Sequence, residues 1–169
     1  INCMVVNFSN EMKAKRFAGW KLVLAGGLLP SDEEYFGKLK HLARGLPVEL
    51  LPNIPHDNLL DCYKRASLYW HAAGYGETDA RWMEHFGITT VEAMSAGAVP
   101  LVFAGGGQTE IVEDGKNGFL WKSIDELLDK TNKLITTHAT VKVIATNAIK
   151  RSQAFSVSAF CKAYDDLLK

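Results

Sequence analysis

Five short apolar runs, separated by segments long enough to form helices, constrain the fold of this chain more than any other feature. They lie at residues 21–26, 48–51, 68–72, 99–103 and 118–121. Each run is almost continuously hydrophobic, which is typical of strands covered on both faces. Strands that alternate with helices pair in parallel through right-handed crossovers. The sequence therefore predicts an α/β fold with an open, doubly wound parallel sheet.

Two intervening segments carry clear helix signals. Ser31 and Glu34 have the spacing of a capping box ahead of an apolar stripe that ends at Gly45. Ser123 and Glu126 have the same spacing ahead of a second stripe. Both segments are therefore predicted to be helices.

Both ends of the chain are also predicted to be helical. Apolar residues recur at helical spacing in residues 4–12, and residues 155–168 form an apolar face behind Ser156 or Ser158, either of which could cap the helix. Neither a repeat nor a linker interrupts residues 1–169. We therefore expect a single domain.

Charge and cysteine content exclude several classes of protein. Lysine plus arginine equals aspartate plus glutamate at 19 each, so no net field favours nucleic acid or an anionic membrane. Cys3, Cys62 and Cys161 lack metal-ligand spacing and are predicted to be buried apolar residues in a reducing compartment. No apolar run approaches the ~18 residues of a membrane span, and no secretory signal is recognisable. A cytoplasmic location is the expectation.

The stretch "EHFGITTVEAMSAGAVP" places Glu84 and Glu92 on either side of a predicted helix start. A carboxylate at Glu92 could accept hydrogen bonds from two vicinal hydroxyls, as on a ribose. The free N–H groups near Ile88 could bind a diphosphate, and Gly87 would leave them accessible. Acidic residues are also common in the first turn of any helix. The residues alone support both interpretations equally.

The string "EHFGITTVEAMSAGAVPLVFAGGGQTEIVEDGKNGFLW" resembles the donor-binding half of the retaining GT-B glycosyltransferases. That family has the approximate pattern E-G-F-G-hydrophobic-x-x-x-E-A-M-A-x-G-x-P-V, followed by a glycine-rich stretch. "GWKLVLAGG" is similar to an earlier strand of the family, and the resemblance runs from about Phe17 through Leu168. "WMEHFGI" resembles the corresponding segment of mannosyltransferases.

The resemblance implies a Rossmann-like domain, one half of a GT-B fold, that binds a UDP- or GDP-linked sugar and requires neither a metal nor another cofactor. Glu84 would be the catalytic carboxylate that contacts and orients the donor sugar, and Glu92 would bind the ribose hydroxyls. The backbone around the helix start would line the sugar and phosphates, through Phe86, Gly87, Ile88 and Thr89. Asn53, Ile54 and Pro55 would contact the nucleobase, although on local grounds they could equally form a plain turn.

Several expected parts of the family pattern have no counterpart here. The family's strand ending in Gly-Arg, a nearby lysine and the N-terminal acceptor domain are missing, so we expect a truncated half of a larger enzyme that lacks its first strand. Such a half should not transfer sugar alone, because catalysis needs groups from both lobes. Any peripheral membrane association would come only through the missing lobe.

Two further features remain open at the level of sequence. Residues 74–83 form an insertion that could be a flap over the donor sugar or a plain surface loop, and its Glu77 and Asp79 lack a second set of metal ligands. His71 and His85 could act as acid or base, but His85 is better explained as an orienting or packing residue beside Glu84. The alternatives to a transferase are a stand-alone binding module and, less well matched by "EHFG", a nucleotide-sugar epimerase.

Overall fold

A computed structural model describes residues 2–169, with side chains from Met4 onward. The helices are α1 Asn2–Lys13, α2 Glu33–Ala43, α3 His56–Arg65, α4 Ile88–Ser95, α5 Gln108–Ile111, α6 Ile124–Thr136, α7 His138–Ser152 and α8 Val157–Leu167. The strands are β1 Leu22–Gly26, β2 Val48–Pro52, β3 Leu68–His71, β4 Val99–Phe103 and β5 Phe119–Trp121. The five predicted strands are therefore confirmed within one or two residues at each end.

The chain divides into two compact units, one ending at Cys62 and the other comprising Tyr63–Lys169. In the first unit, β1 and β2 pair in parallel, with Leu22 opposite Val48. The predicted first helix is confirmed as α1. Its Phe8 ring lies 5.7 Å from the ring of Phe17, and both side chains are buried.

The second unit contains a parallel sheet in the order β3-β4-β5, with β4 in the middle. Alternate residues of β4 pack into two separate apolar clusters. Val99 and Leu101 join Trp121 and residues of α6, whereas Val102 joins Met94 of α4 and residues of α5 and α7. Helices thus cover both faces of this sheet, as a doubly wound arrangement requires.

The helix-cap predictions had mixed outcomes. Ser123 caps α6, since its hydroxyl accepts a hydrogen bond from the Glu126 N–H at 3.2 Å. Ser156 caps α8 in the same way through Ala159. The predicted box at Ser31 is wrong, because residues Pro30–Asp32 form a 3-10 turn and the side chain of Asp32 accepts from Leu29 instead.

One further prediction failed in part, and the closing helix leaves its apolar face exposed. Cys161 is exposed on α8 and Cys62 is only partly buried, so the prediction of buried cysteines is wrong for Cys161, while the side chain of Cys3 lies outside the described part. The predicted closing helix is confirmed as α8, but its apolar face is exposed: Phe160 is 71% and Leu167 84% exposed. Over residues 2–169, every helix is too short or too polar to cross a lipid bilayer.

Candidate functional site

The two predicted acids flank the start of α4 in the second unit. Gly87 precedes the helix with a left-handed backbone (φ 104°), and its carbonyl accepts from the N–H groups of Thr90 and Val91. The N–H groups before these have no acceptor within a helix and form its positive end. Glu84 lies in the loop just before this turn, and the half-buried Glu92 lies in the second turn of the helix.

The Glu84 carboxylate is held by contacts to both of its oxygens. Oε1 accepts a hydrogen bond from the Phe86 N–H at 3.3 Å, and Oε2 lies 3.4 Å from Nε2 of His71. The side chain remains 29% exposed. The carboxylate is thus oriented by the protein and still accessible to a ligand.

Strand β3 supports both the acid loop and the helix start from one face. Tyr69 and His71 are two residues apart, so they point the same way, and their ring centroids are 6.1 Å apart. The Tyr69 hydroxyl donates to Oγ1 of Thr89 at 2.8 Å. Burial, with smaller contributions from the negative charges of Glu84 and Glu92, raises the pKa of Tyr69 to about 12. Strand β3 thus contacts the helix start through Tyr69 and the acid loop through His71.

The glycine-rich turn after β4 packs directly on the backbone of the acid loop. The Gly107 N–H donates to the Glu84 carbonyl at 2.8 Å. A Cβ at Gly106 would overlap that same carbonyl oxygen, and one at Gly107 would overlap the carbonyl oxygen of His85. Only glycines allow the two loops to come this close, so the turn fixes the position of Glu84.

Gln108 connects this turn to β3. Its side chain is fully buried, and its Nε2 lies 3.3 Å from Nδ1 of His71. A Cβ at Gly87 would lie 2.7 Å from the same amide nitrogen. Glycine is thus favoured at position 87 by its positive φ, and an added Cβ would also displace the buried amide beneath it. The sequence also suggested that Gly87 leaves the N–H groups near Ile88 accessible to a diphosphate, and this stays a prediction.

The predicted site residues fall in both units. Glu84, Glu92 and the segment 86–89 come together in the second unit, where Phe86 is 45% exposed and packs edge-on against Phe155 at 5.7 Å. Asn53, Ile54 and Pro55 belong to the first unit. Asn53 is left-handed (φ 53°), and its amide exchanges two hydrogen bonds with the backbone of Leu28. The proposed contact of this loop with a nucleobase stays a prediction.

His85 does not have the packing role that the sequence suggested. It is exposed, and His71 is the histidine that lies against Glu84.

The insertion at 74–83 is anchored at its base rather than along its length. The Tyr75 ring lies 5.2 Å from that of Trp121 and 5.6 Å from that of Phe103. Near its other end, Asp79 caps a 3-10 turn, Ala80–Trp82, and pairs with Arg81 at 2.6 Å. Trp82 is 69% exposed on this turn. A flap role for the insertion stays a prediction.

Tyr69 and Gln108 were missed from the sequence. For Tyr69, the strand sequence "LYWH" contained a signal. Tyr69 and His71 carry polar groups at alternate positions of an otherwise apolar strand, which places both on one face. Gln108 had no such signal, because its role depends on a contact with His71 that is 37 residues away in the chain.

The environment of His71 predicts a specific pH dependence of stability. Burial lowers the pKa of His71 below its usual 6.5, although Glu84 opposes this shift. The unfolded chain then binds more protons than the folded one as the pH falls below about 6.5, so stability decreases. We expect the loss in free energy of unfolding between pH 7 and 5 to be smaller in His71→Gln than in wild type, as measured by urea denaturation. An equal loss in both proteins would contradict this.

Comparisons with known proteins identify the family of this chain. The sequence pattern of the family described as "Glycosyl transferases group 1" matches residues 7–151. A Xenopus laevis protein, "GDP-Man:Man(3)GlcNAc(2)-PP-Dol alpha-1,2-mannosyltransferase", is 35% identical over 119 residues, which are 66% of this chain and 23% of that protein. The Homo sapiens protein of the same name is 32% identical over 149 residues, 83% of this chain and 28% of that protein. The chain thus spans about a quarter of these relatives.

Solved structures show the same fold. Alr3699/HepE of Anabaena, in complex with UDP-glucose, superposes with a TM-score of 0.71 at 26% identity, covering 88% of this chain and 40% of that one. The C-terminal domain of the glycosyl transferase group 1 family protein LpcC of Francisella tularensis superposes with a TM-score of 0.67 at 22% identity, over 90% of this chain and 78% of that one. The family pattern matches most of this chain, and the chain has the parallel sheets flanked by helices of the solved structures. This chain therefore belongs to the glycosyl transferases group 1 family.

Proposed function

We propose that this chain is the donor-binding part of a retaining glycosyltransferase, that its donor is GDP-mannose, and that the acceptor is a lipid-linked glycan. The observation that carries the proposal is the start of α4, which Glu84 precedes in a loop held by Phe86 and His71, and which Glu92 follows in the second turn of the helix. A nucleotide sugar carries hydroxyl groups on both sides of its diphosphate, on the ribose and on the transferred sugar. The two acids and the helix start match that order.

Each part of the site has a distinct role. The start of α4 offers backbone N–H groups and a positive dipole to the diphosphate. Glu92 accepts hydrogen bonds from the ribose hydroxyls, and Glu84, held by Phe86 and His71, accepts from a hydroxyl of the sugar. These residues orient the donor.

The choice of GDP-mannose rests on sequence relatives. The proteins at 32% and 35% identity carry GDP-Man in their names, whereas Alr3699/HepE, solved with UDP-glucose, is 26% identical. Ribose and diphosphate are common to both donors, so Glu92 and the helix start would serve either one.

Calorimetric titration with GDP tests the ribose role. Each charge-assisted hydrogen bond is worth about 1.5–3 kcal/mol when shielded from water, so Glu92→Ala should weaken GDP binding by about 10-fold or more. The matched control is Asp129→Ala, which removes an exposed acid on α6 and should leave binding unchanged. Equal affinities for wild type and Glu92→Ala would contradict the proposal.

The same titration decides between donors. We expect GDP-mannose to bind more tightly than UDP-glucose. Tighter binding of UDP-glucose would retain the donor-binding function and reject the mannosyl assignment.

A further inference from the structure

The contact between His71 and Glu84 indicates which ring nitrogen of His71 carries the proton. Nε2 of His71 faces Oε2 of Glu84 at 3.4 Å. An ionised carboxylate only accepts hydrogen bonds, so an unprotonated nitrogen at this position would set two acceptors against each other. This contact therefore favours a proton on Nε2.

The other ring nitrogen is then available as an acceptor. In a neutral imidazole protonated at Nε2, Nδ1 carries a lone pair. Nε2 of Gln108 lies 3.3 Å from it and can donate. Burial lowers the pKa of His71 and favours this neutral ring. The three side chains thus form a relay of hydrogen bonds from Gln108 through His71 to Glu84.

The far end of the relay is confined by packing. Gln108 is fully buried, and Gly87 lies so close to its amide that an added Cβ would come within 2.7 Å. Within the described residues, Oε1 of Gln108 has no hydrogen-bond partner. Burying this unpaired oxygen costs free energy. The contact of the amide nitrogen with His71 accounts for a glutamine at this position.

We propose that His71 is a positioning residue that holds the Glu84 carboxylate toward the donor sugar, and that Gln108 selects the ring tautomer that does so. The inference rests on the proposed function, in which Glu84 contacts that sugar. His71 acts through Glu84 and touches neither nucleotide nor phosphate.

The first test is independent of ligand binding. Long-range ¹H–¹⁵N NMR of the 169-residue chain at neutral pH, with the His71 signals assigned by their loss in His71→Gln, should show a neutral ring protonated at Nε2. Gln108→Met keeps a similar volume but removes the donor, and a mixture of tautomers is expected. A ring protonated at Nδ1 in wild type overturns the inference, and an unchanged tautomer in Gln108→Met overturns the role of Gln108.

The second test separates positioning from support of the fold. His71→Leu should weaken GDP-mannose binding by about 10-fold, as expected for a lost hydrogen bond to a charged group, and should leave GDP binding unchanged. His71→Gln keeps an N–H donor and should restore most of the GDP-mannose affinity. Equal weakening for GDP and GDP-mannose would indicate a structural role only and overturn the inference. Absence of GDP binding in wild type would instead reject the proposed function, while the NMR result would still decide the tautomer.

Discussion

Replacing Gly106 by alanine is expected to lower the free energy of unfolding of the second unit by about 3 kcal/mol or more. Two penalties combine at this position. The backbone is left-handed (φ 56°), and the new Cβ would overlap the carbonyl oxygen of Glu84. Because that oxygen belongs to the backbone, relief requires the acid loop to move. Urea denaturation followed by circular dichroism measures the loss.

Two other glycines separate the two penalties. Gly76 has a positive φ of 85° with nothing within 4 Å of an added Cβ, so Gly76→Ala should cost about 1–2 kcal/mol from backbone conformation alone. Gly107 has an ordinary φ of −65°, but its Cβ would overlap the His85 carbonyl, so Gly107→Ala reports the clash alone. If Gly106→Ala costs no more than Gly76→Ala, the close packing of the two loops is wrong.

The main elements of the fold were predictable because they depend on local pattern. β4 is apolar at every position, and the structure buries four of its five residues between two clusters. The order of strands and helices then restricts the pairing to a parallel one. The acid-flanked helix start was also predictable, since Glu84, Gly87 and Glu92 are close in sequence.

Features that depend on packing between distant segments were not predictable. Helix α7 was not identified, because only a narrow line of its residues, Ile144, Ala148 and Ser152, is buried, while its Val143 is 61% exposed. Cys161 was expected inside because cysteine is usually buried, but α8 leaves its face exposed. The contact of Gln108 with His71 likewise depends on tertiary structure alone.

Trp121→Ala is expected to have the largest effect of any single truncation in the second unit, about 3–5 kcal/mol. Trp121 is fully buried in the cluster formed by β4, β5, α6 and α7. Its ring also lies 5.4 Å from Phe103 and 5.2 Å from Tyr75, which anchors the insertion. Alanine would leave a cavity beneath both. Urea denaturation measures the stability, and near-ultraviolet circular dichroism reports the loss of aromatic packing.

Trp121→Phe and Trp82→Ala test whether packing is the cause. In the described structure, the buried Nε1–H of Trp121 has no acceptor, so phenylalanine removes an unsatisfied donor while keeping much of the ring, and its cost should be well below that of alanine. Trp82 is 69% exposed, and its truncation should change stability by at most about 0.5 kcal/mol. A phenylalanine variant as unstable as the alanine one would show that ring volume is not the main source of the effect.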